Sequence, residues 1–450
     1  MQKGELIMLH IGQCGVQAGH TFWEQLTYEH GIHPDGFNQL SNLDNESKVE
    51  PISFFHLTGD ERYVPRSIFI DSEPSTTDEV QNGLFRSLFN PCSFIHGKEE
   101  AANNYARGRF ILGAQIMEPI VERVRKEVEA TDMCQGFVVN HSTGGGTGSG
   151  VTVRVMEHLS DTFNKAANVQ IPIYPSEYLS TAVVDPYNAL LHSGFNIPYS
   201  NLVVMLDNHA IMQLLSRHLQ IEKPTFLFLN RMFSQISSCL FCGFHFNADP
   251  TCGSLEELAT NLVPFPQLHF TFVRYAPIVG LRRNGFHSTV NPAQDLTRAV
   301  LDPNYSTLTA DKASRGKMIA CCLAFRGASA GCQRGLAQVI SETKRTGRLN
   351  FVDWCPTGVK VRIHAVPPLR PVPESGIAET PANVILIGNG AGVAVKELSV
   401  ILMQFERLYE KRCFVHWYVG EGMEEGEFDE AADLLKDISD KYANADESGI

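Results

Sequence analysis

The chain contains no uninterrupted apolar run approaching the roughly 18 residues of a membrane-spanning helix, and its start does not read as a signal peptide, so nothing is expected to cross a membrane. It has no excess of basic charge. With 37 Lys+Arg against 50 Asp+Glu the net charge is −13, which argues against nucleic acid as a main partner and leaves an acidic surface for basic ones. Its 11 cysteines have no paired metal-ligand spacing. Cys239-x-x-Cys242 stands alone inside an apolar stretch, so no zinc site is expected, and many free thiols suit a reducing cytosol. The most glycine-rich segment contains no lysine, which excludes a Walker A loop.

What is present is ordinary globular composition, 43% hydrophobic and 19% charged, over 450 residues. That length allows two or three packed units. The chain is organised around Asn140-His141-Ser142-Thr143-Gly144-Gly145-Gly146-Thr147-Gly148-Ser149-Gly150. Gly136-Phe137-Val138-Val139 before it reads as a buried strand, and from Val151 to Leu159 apolar residues recur at helical spacing. Strand, glycine turn, helix aims free backbone N–H groups at an anion. Ser142, Thr143, Thr147 and Ser149 add hydroxyls of the right length to reach phosphate oxygens. The dinucleotide fingerprint fails, because its third glycine falls on Ser149 or Val151, and this sets aside a dehydrogenase. Negative charge on a ligand must therefore be met by amides, a helix N-terminus and a metal ion.

A second strand–glycine–helix unit opens the chain. Glu5 to Ile11 reads as a strand and Gly12-Gln13-Cys14-Gly15 as the turn; the helix carries Val16, His20, Trp23 and Leu26 on one stripe and stops at Gly31. Arg66 to Pro74 reads as a strand ending in Asp71 and Glu73, carboxylates at a sheet rim where oxygen ligands beside a phosphate suit Mg²⁺.

Gly144-Gly145-Gly146-Thr147-Gly148-Ser149-Gly150 resembles the signature of the tubulin family of GTPases. Gly97-Lys98-Glu99, Ala101 to Gly108, Phe351 to Gly358 and Val415 to Phe428 extend the likeness, on the alpha side of the family, over nearly the whole chain. The resemblance implies an α/β fold: a Rossmann-like parallel-sheet GTPase domain over 1–208, an α+β intermediate domain with the core helix over 209–384, and C-terminal helices with a short acidic tail over 385–450. It implies bound GTP and Mg²⁺, with Gly12, Gln13, Cys14, Gln17, Asn103, Ser142, Gly145, Gly146, Thr147 and Gly148 around the phosphates. Glu73 holds the metal with Asp71 in support, Thr181 and Asp185 lie at the ribose, and Asn208, Phe226 and Asn230 meet the guanine. It implies pairing with a beta-tubulin, incorporation into cytoplasmic microtubules, and contact with motors and associated proteins. Glu257 matches the acid by which alpha-type chains act on the neighbour's nucleotide, so hydrolysis is expected in trans and not at the chain's own site.

Several positions depart from the family pattern. Met1-Gln2-Lys3-Gly4 replaces the usual opening, and Lys48 does not match the acetylated lysine of the Asp35–Ser53 loop. Glu100 and Asp185 exchange Asp and Glu, Phe226 replaces a tyrosine, Phe228 a polar residue and Ser254 an acid. The lateral loop Leu281 to Ser288 differs strongly, whereas Pro368 to Ala382 keeps an alpha-length insertion. The tail Asn444 to Ile450 lacks a glutamate run and terminal tyrosine, so tail modifications are not expected to apply. These departures leave a second reading, a non-polymerising GTP-binding protein on the same fold. Leu229 to Phe246 reads as one long helix joining domains. Leu398, Ile401, Leu402, Phe405, Leu408 and Tyr409 form one later stripe, and Ala431, Leu434, Leu435, Ile438 and Tyr442 another.

Overall fold

Strand β1 (Glu5–Ile11) has every residue buried, as a strand covered on both faces must. In this computed structural model the described residues are 4–38, 51–176, 179–180, 182–221, 224–246, 254–281, 292–314, 316–327, 341–342, 345, 349–355, 358–364, 366, 368–373 and 375–447. The Lys48 comparison, Thr181, residues 282–288 of the lateral loop, the first three residues and the last three lie outside them.

A small hairpin, β2 (Phe55–Leu57) and β3 (Tyr63–Pro65), stands apart. The other strands are β4 (Ser67–Asp71), β5 (Phe94–His96), β6 (Cys134–Ser142), β7 (Ala167–Tyr174), β8 (Leu202–Asp207), β9 (Phe270–Ala276), β10 (Met318–Arg326), β11 (Val359–His364) and β12 (Asn383–Gly390). With β1 they form one ten-stranded sheet in the order β11-β10-β12-β9-β8-β7-β6-β1-β4-β5. Pairing is parallel from β5 through to β9. It turns antiparallel on both sides of β12, and β10 with β11 is parallel again. The sheet runs unbroken across β8 and β9, and the sequence boundary at 384/385 falls inside β12.

Helices α1 (Gly12–His30), α2 (Pro74–Asn82), α3 (Gly113–Glu129), α4 (Thr152–Thr162), α5 (Asp185–Phe195) and α6 (Asn208–Leu219) follow the parallel strands. Gly31 ends α1 in a left-handed cap with φ 64°, and of the expected stripe Val16, Trp23 and Leu26 are buried while His20 is half-buried.

The long helix read from Leu229 to Phe246 is corrected. Helix α7 (Phe226–Leu240) begins three residues earlier, breaks at Phe241, and gives way to the single turn α8 (Cys242–His245). Both pieces are largely buried, so the apolar pattern runs through the break without marking it. Helix α9 (Leu255–Leu262) buries Leu255, Leu258 and Leu262, and the Ser254 hydroxyl caps it by accepting from Glu257 N at 3.1 Å. Among the C-terminal helices Ala391–Tyr409, Val415–Gly420 and Gly426–Glu447, the last leaves Leu434 exposed and buries the rest of its expected stripe.

One buried ion pair fixes α1 on the sheet. Arg326 Nη2 of β10 donates to Glu29 Oε2 of α1 at 2.6 Å, with the side chains 2% and 1% exposed. Gln25 and Ser238 donate to the other carboxylate oxygen, at 2.6 and 2.7 Å. Removing one partner of such a pair costs about 3–5 kcal/mol, because the other charge stays buried. Arg326→Ala should therefore lower the thermal unfolding midpoint by several degrees, and Arg326→Ala with Glu29→Gln should recover part of that loss, as differential scanning fluorimetry will measure.

Candidate nucleotide site

The C-terminal ends of β1, β4, β6, β7 and β8 carry the candidate residues to one rim of the sheet, where parallel α/β sheets bind ligands. Gly12 opens α1 with φ +74°, a left-handed conformation that glycine adopts without strain. That turn brings it against the second loop: a Cβ on Gly12 would stand 3.0 Å from Gly148 N. Gly148 itself is pressed on β6, and a Cβ there would meet Ser142 O at 2.6 Å. The two glycine turns expected from the sequence thus form one continuous backbone surface.

The hydroxyls divide. Ser142 is half-buried beside Gly145 and Gly148, and Thr147 Oγ1 pairs with Ser72 Oγ at 2.7 Å, tying the loop to the end of β4. Two others point elsewhere than expected. Ser149 Oγ donates to Gly145 O at 2.5 Å and Thr143 Oγ1 to Ile173 O at 3.4 Å, so both brace the loop through backbone carbonyls. Residues Thr147–Val151 form a π-helical turn, as do Arg107–Leu112, and the two turns pack together. Such turns recur at functional sites.

Asn188 joins three segments, and the sequence reading passed over it. It is fully buried on α5, and its Nδ2 donates to Gly144 O at 2.6 Å and to Asn103 O at 2.7 Å. Its Oδ1 accepts from Tyr105 N at 3.1 Å and from the Tyr418 hydroxyl at 2.7 Å. These bonds hold Ala102 and Asn103 at φ 48° and 53°, a strained pair kept by its surroundings. Nothing in the spacing of Asn188 announces this.

The remaining candidates differ in exposure. Gln13 is exposed, while Cys14, Gln17, Glu73, Asp185, Asn208 and Asn230 are half-exposed. Although the residue is half-exposed, desolvation around its sulfur pushes the Cys14 thiol up to about 12, so it stays neutral. Gly146 packs against Asn104, and the Asp185 carboxylate lies against Gly144 and accepts from Ser180 Oγ at 2.6 Å. Burial raises the Asp185 pKa, and the Ser180 bond partly opposes the shift. Phe226 is 69% exposed on the first turn of α7, with Asn230 one turn further along the same face. Thr21 Oγ1 of α1 donates to Ala18 O at 2.9 Å and also lies 3.3 Å from Asn230 O, so α1 and α7 are in contact there.

For the metal, Asp71 and Glu73 differ. Both Asp71 oxygens already accept, from Ser72 N at 2.7 Å and from Thr76 Oγ1, so Asp71 braces the rim. Glu73 is half-exposed and accepts one bond from Ser75 Oγ at 2.6 Å, leaving oxygen lone pairs for a cation. Among the described residues no group of three or more His, Cys, Asp or Glu gathers to cage a metal. Mg²⁺ needs no such cage, since it takes one or two carboxylates with phosphate oxygens and water.

Glu257 is not part of this rim. Leu255 N, two residues before it, donates to Gln135 Oε1 at 3.4 Å at the start of β6, whereas the glycine loop follows the end of that nine-residue strand. At about 3.3 Å per residue, on the order of 25 Å separates Glu257 from its own chain's phosphate loop.

An α/β rim with a lysine-free phosphate loop is the arrangement of one class of GTPase. The family described as Tubulin/FtsZ family, GTPase domain, matches residues 5–216, and the Tubulin C-terminal domain matches 266–398. The chain is 40% identical over 449 residues to the Tubulin alpha-2 chain of Caenorhabditis elegans, covering 99% of this chain and 98% of that one. It belongs to the tubulin family, as an alpha-tubulin-like GTP-binding subunit.

The network under the loop makes two of its members testable. Asn188→Ala leaves the Tyr418 hydroxyl, an N–H and two carbonyls without these partners, at about 1–3 kcal/mol for each buried orphan. Bound guanine nucleotide should then dissociate faster by about tenfold or more, read by nucleotide content after gel filtration. Below Asn188, the His192 Nδ1–H donates to Ser149 O at 3.1 Å, and the His141 ring lies 4.5 Å away. Burial holds His141 down at about 4 and His192 well below the usual imidazole range. Unfolded histidines bind protons near pH 6.5, so this stability is present above that pH and is lost as pH falls through about 6.5 towards the folded values. His192→Gln should shrink the drop in thermal midpoint between about pH 7.5 and pH 5.5.

Proposed function

We propose that the chain is the alpha-type half of a tubulin heterodimer. It holds GTP at its own rim without turning it over, and it lends Glu257 to the nucleotide of a neighbouring beta-type subunit. The observation that carries this reading is the separation along β6: a carboxylate on the order of 25 Å from its own phosphate loop serves a nucleotide only on another chain.

At its own rim the chain offers the amides of Gly145, Gly146, Thr147 and Gly148, the N-terminal turn at Gly12, Gln13, Cys14 and Gln17, and the Asn103 loop to the phosphates. The ribose is assigned to Asp185 and Thr181. Asn208 and Asn230 supply the paired donor and acceptor groups that a guanine edge requires, and Phe226 the ring on which it stacks. Glu73 is the candidate ligand for Mg²⁺, braced by Asp71, and the metal when bound neutralises phosphate charge. On the neighbour, a water oxygen attacks the γ-phosphorus, the bond from that phosphorus to the β–γ bridging oxygen breaks, and the water proton passes to the Glu257 carboxylate. GDP and inorganic phosphate are the products. Assembly into cytoplasmic microtubules and contact with motors and associated proteins belong to the same reading.

The isolated chain should bind GTP and release negligible phosphate. In polymer formed with a beta-type partner, Glu257→Ala should slow phosphate release by about 10²-fold, the low end of what a positioned acid or base contributes. Unchanged release from that polymer would overturn the assignment.

A further inference from the structure

Glu257 is not free where it stands. Its Oε1 pairs with the Lys360 ammonium, and its Oε2 lies 3.5 Å from Arg362 Nη2. Lys360 and Arg362 are two residues apart on β11, the edge strand of the sheet, and therefore point to the same face. The Arg362 side chain is only 10% exposed, and its Nε and Nη2 find no hydrogen-bond acceptor among the described residues. A nine-tenths buried guanidinium with unused donors beside a carboxylate favours the contact that uses them. Burial, and then the charge of Arg362, lower the Lys360 pKa, so the two cations oppose one another and the carboxylate between them relieves both.

A carboxylate orients or deprotonates a water only through a lone pair turned towards it. Here one oxygen faces an ammonium and the other a guanidinium, both from its own chain. We propose that Lys360 and Arg362 are positioning residues that clamp Glu257 on its own sheet edge and so restrain hydrolysis on the neighbouring subunit. This rests on the reading that Glu257 serves that nucleotide. The clamp does not touch the reacting atoms. It sets the fraction of subunits in which the carboxylate is turned outwards, and the rate follows that fraction.

The test is phosphate release from polymer formed by the full chain with a beta-type partner, comparing Arg362→Ala, Arg362→Lys, Glu257→Ala and the Glu257→Ala/Arg362→Ala double variant. The clamp predicts a maximal rate higher by about fivefold or more for Arg362→Ala, with little change in polymer affinity. It predicts a rate near the unmodified one for Arg362→Lys, and a double variant no faster than Glu257→Ala. Raising salt from about 50 to about 300 mM should speed the unmodified chain, by screening the ion pairs, more than it speeds Arg362→Ala. A slow Glu257→Ala with an unaccelerated Arg362→Ala overturns the clamp alone. A Glu257→Ala as fast as the unmodified chain overturns the underlying reading. Should Arg362→Ala fail to assemble, the salt series on the unmodified chain decides: acceleration supports the clamp and a flat or falling rate overturns it.

Discussion

The Asn188 side chain is the constraint on which the nucleotide rim depends. One amide reaches the glycine loop, the Asn103 loop and the C-terminal helical region, and all its hydrogen-bonding capacity is used. The glycine loop has no lysine, so on the proposed reading its grip on phosphate lies in the direction of its backbone N–H groups. Direction is what Asn188 and the bonds of Ser149 and Thr147 hold. The same amide couples the rim to Tyr418, and through it to the helices that follow.

A second constraint is distance. The sheet is continuous from the phosphate rim to its far edge, so the loop and Glu257 are held apart by paired backbone rather than by a flexible link. An arrangement with the phosphate grip at one end of β6 and the acid at the other suits a subunit that meets like subunits end to end. On the proposed reading it separates holding a nucleotide from acting on one.

Much of the fold was legible because it rests on local signals. The strand–glycine–helix units, the Gly31 stop and the Ser254 cap are each written in a few adjacent residues. What was not legible depends on residues far apart in the chain. Asn188 meets partners 44, 85 and 230 residues away. Glu257 meets Lys360 across 103 residues. The break at Phe241 was hidden because both flanking pieces are apolar, and the inward turn of Ser149 and Thr143 because a hydroxyl's partner is not written in its identity.

The central claim is that the chain grips one nucleotide and serves another. A cryo-electron microscopy structure of polymer formed with a beta-type partner and a slowly hydrolysed GTP analogue tests it most directly. The account predicts guanine nucleotide on the Gly145–Gly148 amides and the Glu257 carboxylate within one water of the neighbour's γ-phosphate. A nucleotide bound elsewhere on this chain, or a γ-phosphate with no approach from Glu257, would contradict it.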